Sequence, residues 1–125
     1  MSATTFAQLG LSQDIVGALK KQGIEHPFQI QERAIPAALE GRDILAKAPT
    51  GSGKTLAFAL PIVERITSDS SRPAALVLVP TRELAVQVAE EFTLLANSRK
   101  LRVVTVYGGV SIIPQIKKAK EAPVL

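Results

Sequence analysis

Apolar positions along the chain follow two rhythms. From Ser12 to Gly23, Ile15, Val16 and Leu19 fall on one side of a helical repeat, which predicts a short amphipathic helix. Ser12 is placed to cap it, Asp14 lies in its first turn, Lys20 and Lys21 in its last, and Gly23 ends it. Pro27 opens a second helical run, Phe28 to Gly41, and Pro36 inside that run is expected to kink or split it. Asp43 to Ala48 is a brief apolar run and reads as a buried strand. A third helix starts near Gly53 and carries Leu56, Phe58, Leu60, Val63 and Ile66, with an irregularity expected at Pro61. After a polar connector, Ser68 to Pro73, the run Ala74 to Pro80 reads as a second strand. Thr81 caps a further helix whose Leu84, Val88, Phe92 and Leu95 are expected to face the core. Leu101 to Gly109 reads as a third strand, Ser111 to Ala122 as a helix, and Pro123 to Leu125 as the opening of a fourth strand. Strands that are apolar throughout fit a parallel sheet covered on both faces. Their alternation with helices predicts an α/β architecture with right-handed crossovers.

Composition narrows the picture. A chain of 125 residues is expected to form one domain, and 46% hydrophobic with 21% charged residues is a globular balance. The net charge of +4 is compatible with a polyanionic partner. Without cysteine there is no disulfide framework and no thiolate metal site. His26, the single histidine, lies in a turn-like segment and is read as structural or solvated. No apolar run approaches a membrane span, and the N-terminal residues lack the shape of a signal peptide, so a cytoplasmic location is expected.

The strongest chemical signal is the run Ala48, Pro49, Thr50, Gly51, Ser52, Gly53, Lys54 and Thr55, set between a predicted strand and a predicted helix. Glycines let successive backbone amides turn inward on an anion, and the helix N-terminus adds positive potential. Lys54 supplies a cation for the terminal phosphates, and Thr55 offers a hydroxyl to magnesium. A nucleoside di- or triphosphate with Mg2+ is the expected ligand, ATP or ADP where the base is adenine. Such a loop does not select a base. Upstream, in Gly23 to Gln31, the amide of Gln31 could bond both N6 and N7 of adenine.

Together these residues resemble the start of a DEAD-box RNA helicase. The family's adenine-reading motif is matched by an isolated aromatic, Phe6, and by Gly23, Pro27, Ile30 and Gln31. It departs at Ile24, where an aromatic is common, and at Phe28, where Ser or Thr is usual and its hydroxyl supports the phosphate loop. Ala48 to Thr55 is similar to the family's phosphate loop, with Pro49 in place of Gln. Pro80 to Ala85 is similar to its first RNA-contact motif, and Gly108 and Gly109 to its glycine pair. The resemblance implies a RecA-like P-loop NTPase fold, a truncated parallel sheet flanked by helices. Residues 1–41 would be an adenine-recognition segment, and 42–125 would hold the phosphate loop and the first RNA-contact motifs. Catalytic roles fall on Lys54 and Thr55, and nucleotide binding on Phe6, Gln31 and Pro49 to Thr55. RNA binding falls on Pro80, Thr81, Arg82, Gly108 and Gly109, as backbone contacts blind to sequence. Lys117, Lys118 and Lys120 read instead as a solvated helix face.

The family's Asp-Glu-Ala-Asp and Ser-Ala-Thr motifs occur nowhere in the 125 residues, and Glu90 and Glu91 stand in the wrong place to replace them. The chain therefore reads as the amino-terminal part of the first of two RecA-like domains, expected to bind nucleotide without turning it over. The rival readings are a small P-loop enzyme of kinase type and a plain nucleotide-binding module. In such sheets a later strand lies beside the phosphate-loop strand, so a gap is expected beside Asp43 to Lys47. Self-association through open sheet edges is expected to follow, with Ile44, Leu45, Leu76, Leu78, Val124 and Leu125 as the apolar contacts.

Overall fold

The computed structural model describes residues 4–67, 70 and 72–124. Ser68, Asp69 and Ser71 of the expected connector, Leu125 of the expected last strand and Met1–Ala3 lie outside the described residues. The chain forms two compact units, Met1–Arg65 and Ile66–Leu125.

In the first unit a 3-10 turn, Ala7–Leu9, precedes α1 (Gln13–Lys21), α2 (Gln29–Leu39) and α3 (Lys54–Arg65). Phe6, Ile15, Leu19, Ile35, Leu60 and Val63 are fully buried, and α2 packs on α3. Two helix ends follow directly from glycine. Gly23 and Gly41 take left-handed φ values of 77° and 82°. After α1, Gly23 N donates to Lys20 O and Ile24 N to Leu19 O; after α2, Gly41 N donates to Ala38 O and Arg42 N to Ala37 O. Each set closes the last helical turn with the two bonds of a Schellman motif, a geometry that excludes a Cβ at low strain.

Several expectations need correction here. Ser12 stands at the N-cap of α1, but its hydroxyl lies 2.6 Å from Asp14 Oδ1 and 2.9 Å from Glu64 Oε2 and caps no amide. A hydroxyl between two carboxylates is drawn into donating. Neither Pro36 nor Pro61 interrupts its helix. The bond each proline forfeits is a single ladder bond, and both helices are held by their packed apolar faces. Phe58 is 37% exposed and Leu56 half-buried, so the core face of α3 is Ala57, Leu60, Pro61 and Val63. Asp43 to Lys47 forms no strand and is exposed, with Leu45 at 102%, and bonds no neighbouring strand among the described residues. A buried strand needs partners on its flanks, and the periodicity of one segment cannot supply them.

The second unit holds α4 (Arg82–Ala96), a 3-10 turn (Asn97–Arg99) and α5 (Ile112–Glu121). Val88, Phe92 and Leu95 of α4 are buried, whereas Leu84 stays 36% exposed one turn from the helix start. At the expected strands, Ala74–Pro80 and Leu101–Gly109, the pairing found among the described residues is two isolated parallel bridges, Ala75 with Val124 and Val103 with Val124. Val124 is thus the middle member, flanked by segments that precede it in sequence. Ala74 N and Ala75 N donate to Pro123 O, and Val104 N donates to Val124 O at 3.0 Å. Beyond this level Leu76 and Leu78 are 62% and 84% exposed.

The contrast between core and exposed segment is testable in one pair of variants. Leu60→Ala should lower unfolding free energy by about 2–5 kcal/mol, whereas Leu45→Ala should stay within about 0.5 kcal/mol. Urea denaturation of both variants checks the assignment, and equal losses would contradict it.

Candidate nucleotide site and nucleic-acid face

In the first unit the phosphate loop joins the exposed segment Asp43–Lys47 to α3. Gly51 and Gly53 take φ values of 81° and 82°, which turn the chain in a way side-chain-bearing residues resist. The Ser52 amide and hydroxyl both donate to the Pro49 carbonyl, closing Pro49 to Ser52 into a turn. The first helical bond of α3 runs from Ala57 N to Gly53 O, so the amides just before it lack intrahelical acceptors. Lys54 is exposed and Thr55 half-buried at this end.

Gln31 is 1% exposed and reaches this loop from α2. Its Oε1 accepts from Phe28 N at 2.9 Å, and its Nε2 donates to Gly53 O at 3.0 Å. A Cβ added at Gly53 would lie 2.3 Å from Gln31 Nε2 and 2.7 Å from Phe28 Cδ2. Glycine at 53 is therefore required twice, by its dihedral and by its neighbours. Gln31, expected from sequence to read the base, here also ties the start of α2 to the phosphate loop, as a latch.

Phe28 is the N-cap of α2. The Gln31 side chain completes one half of a capping box on the Phe28 amide. The reciprocal half needs a side-chain acceptor at position 28, which phenylalanine lacks; its ring, 58% exposed, lies against Gly53 instead. Phe6 is 1% exposed, a core residue at the cap of the first 3-10 turn, with no open ring face for a base.

The loop suits a polyphosphate: two left-handed glycines, unpaired amides at a helix N-terminus, an exposed Lys54 and the Thr55 hydroxyl. Among the described residues no cluster of three or more His, Asp or Glu occurs that could hold a metal ion.

Pro80, Thr81, Arg82 and Gly108 of the second unit border a cleft of about 490 Å³ that Val88, Phe92 and Val124 floor, and Gly109 follows Gly108 just outside its lining. Thr81 Oγ1 accepts from Leu84 N at 3.1 Å, the N-cap bond expected from sequence. Arg82 stacks its guanidinium 4.5 Å from the centre of the Tyr107 ring. Gly109 has φ 85°, and a Cβ at Gly108 or Gly109 would meet nothing within 4 Å, so a ligand backbone can approach both. Desolvation raises the pKa of Glu91 on α4. The sequence reading missed Tyr107 and Gln115, whose Oε1 accepts from Tyr107 N at 2.8 Å. An aromatic next to the glycine pair was the available signal for the first; nothing local marks the second.

Comparison with known proteins gives concordant matches. The DEAD/DEAH box helicase family model matches residues 28–125. The chain is 44% identical over 120 residues to the DEAD-box ATP-dependent RNA helicase CshA of Geobacillus kaustophilus, covering 96% of this chain and 26% of that protein. It is 49% identical over 120 residues to DEAD-box ATP-dependent RNA helicase 36 of Oryza sativa subsp. japonica, covering 96% and 24%. Among solved structures, a DEAD box protein from the hyperthermophile Methanococcus jannaschii superposes with a TM-score of 0.88 at 42% identity, covering 96% of this chain and 33% of that one. The RNA-helicase Prp28 from Chaetomium thermophilum bound to ADP gives 0.80 at 35% identity, covering 96% and 31%. The chain spans about a quarter of the length of the curated relatives it matches.

The latch can be tested by restoring what Phe28 lacks. Phe28→Thr should complete the capping box and raise stability by about 1 kcal/mol. Gly53→Ala should lower it by at least about 1 kcal/mol through the forced φ and the displaced Gln31. Thermal melting of both variants is the measurement; a neutral Gly53→Ala would remove the latch.

Proposed function

Since the chain belongs to the DEAD/DEAH box helicase family, we propose that it holds an adenine nucleotide on its first unit and an RNA backbone on its second, as part of an ATP-dependent RNA helicase. The observation that carries the nucleotide reading is the Gln31–Gly53 bond, which ties the segment expected to read adenine to the loop expected to hold the phosphates. In this reading residues 1–41 serve adenine recognition, and 42–125 carry the phosphate loop and first RNA contacts. The bridges at Ala75, Val103 and Val124 are the beginning of a RecA-like parallel sheet. The relative bound to ADP supports the nucleotide class, and the names of the curated relatives support RNA. A kinase-like P-loop enzyme is disfavoured by the family. Among the described residues no helix is long and apolar enough to cross a membrane; a cytoplasmic location is part of the same proposal.

On this reading the amides at the start of α3 and the Lys54 ammonium receive the terminal phosphates, and the Thr55 hydroxyl is directed to magnesium. Magnesium bound with the nucleotide supplies charge neutralisation on those phosphates. Gln31 has a second N–H and a second lone pair for the base edge, and binding there orders the loop through Gly53. Arg82 and the N-terminal amides of α4 hold an RNA phosphate, while Gly108 and Gly109 admit the sugar-phosphate chain. Pro80 sets the turn into α4, with Thr81 as its cap. Phe6 supports the adenine segment from the core.

Calorimetric titration with ADP, ATP and GDP tests this. Lys54→Ala should weaken all three together. Gln31→Ala should weaken adenine nucleotides selectively, by a contact worth about 1–3 kcal/mol. An unchanged preference for ADP over GDP would leave Gln31 as a latch only. The 125 residues contain no Asp-Glu-Ala-Asp, so the purified chain should show no phosphate release above background. Release abolished by Lys54→Ala would refute this.

We also infer that the chain associates through its unpaired extended segments, a reading supported by the exposure of Ile44, Leu45, Leu76 and Leu78. Light scattering across a concentration series should show a rising mean mass that Leu45→Lys with Leu78→Lys reduces. A constant monomer mass would end this reading.

A further inference from the structure

We propose that Tyr107 and Gln115 are positioning residues that join the start of α4 and the Gly108–Gly109 turn into one clasp for an RNA backbone. The inference rests on the reading of Arg82 and the glycine pair as RNA contacts.

Arg82 is exposed, and among the described residues no carboxylate pairs with its guanidinium. Its charge is therefore available to an external anion. A free arginine stem would have to be ordered on binding, with an entropy loss that weakens the contact. The Tyr107 ring, 4.5 Å away, reduces that loss. A guanidinium stacked on a ring face keeps its edge N–H groups directed outward, the geometry that grips a phosphate with two parallel bonds.

The backbone that carries the ring is itself tied down. The Tyr107 amide donates to Gln115 Oε1 at 2.8 Å, and Gln115 Nε2 donates to the Ser111 carbonyl at 3.0 Å. One side chain from the first turns of α5 thus spans the loop that contains Gly108 and Gly109, fixing both its ends. The glycines stay open to solvent, yet their flanks are tied. Arg82 reaches this loop through the ring, so the ring couples two elements that sequence separates.

A fluorescently labelled single-stranded RNA of mixed sequence, titrated with the 125-residue chain at several salt concentrations, tests the inference. Tyr107→Leu should weaken binding about two- to fivefold, the range expected for an exposed cation–π contact, and Tyr107→Phe should restore it. Arg82→Ala should weaken binding further and lower the salt slope by about 0.7. Adding Tyr107→Leu to Arg82→Ala should then cost nothing more, because the ring acts only through the guanidinium. Arg82→Lys, which keeps the charge but loses the planar stack, should resemble Tyr107→Leu. It decides the matter should the leucine variant fold poorly. Additive losses in the double variant, wild-type binding by Tyr107→Leu, or wild-type binding by Arg82→Lys would each overturn the positioning role. Loss of nothing in Arg82→Ala would instead overturn the RNA reading itself.

Discussion

One buried amide organises the first unit. Gln31 cannot be removed from water without partners for both ends of its side chain, and it finds one in its own helix and one in the phosphate loop. The cost of leaving either end unpaired is what registers α2 against the start of α3. From that register follow the need for glycine at 53, the seat of the Phe28 ring and the direction in which Lys54 leaves the helix. A base bonded to Gln31 and a phosphate bonded near Gly53 would therefore be felt by one and the same side chain.

The second unit depends on a different constraint, the parallel pairing that begins at Val124. Backbone groups of Ala74, Ala75, Arg102 and Val104 find partners at Pro123 and Val124, which stand between the two segments. Pairing is achieved at that level, and the ends of the same segments carry Thr81, Arg82, Gly108 and Gly109. The candidate nucleic-acid face thus lies at the carboxyl ends of the paired segments, where α/β folds gather their ligands.

The helices were legible because their causes are local. Apolar spacing in α1 and α4, the cap at Thr81 and the stops at Gly23 and Gly41 each involve residues a few positions apart. The phosphate loop was legible for the same reason. The family was legible because several short motifs occur in order. Strands were not, since the apolar runs at Asp43 to Ala48 and Ala74 to Pro80 say what would be buried but not by what. Gln31 was singled out for its chemistry, yet its bond to Gly53 crosses 22 residues and has no local trace. The prolines misled for a related reason: propensity counts the ladder bond lost at Pro36 and Pro61 and omits the packed faces that hold those helices. Tyr107 escaped because its meaning lies in Arg82, on another element.

The chain has one tyrosine and no tryptophan. Its near-ultraviolet absorbance and its intrinsic emission therefore arise overwhelmingly from a single ring, the one under Arg82. Polyanions drawn to that guanidinium alter the field and the quenching at the chromophore without any attached label. The protein carries its own optical gauge, built into its candidate nucleic-acid face.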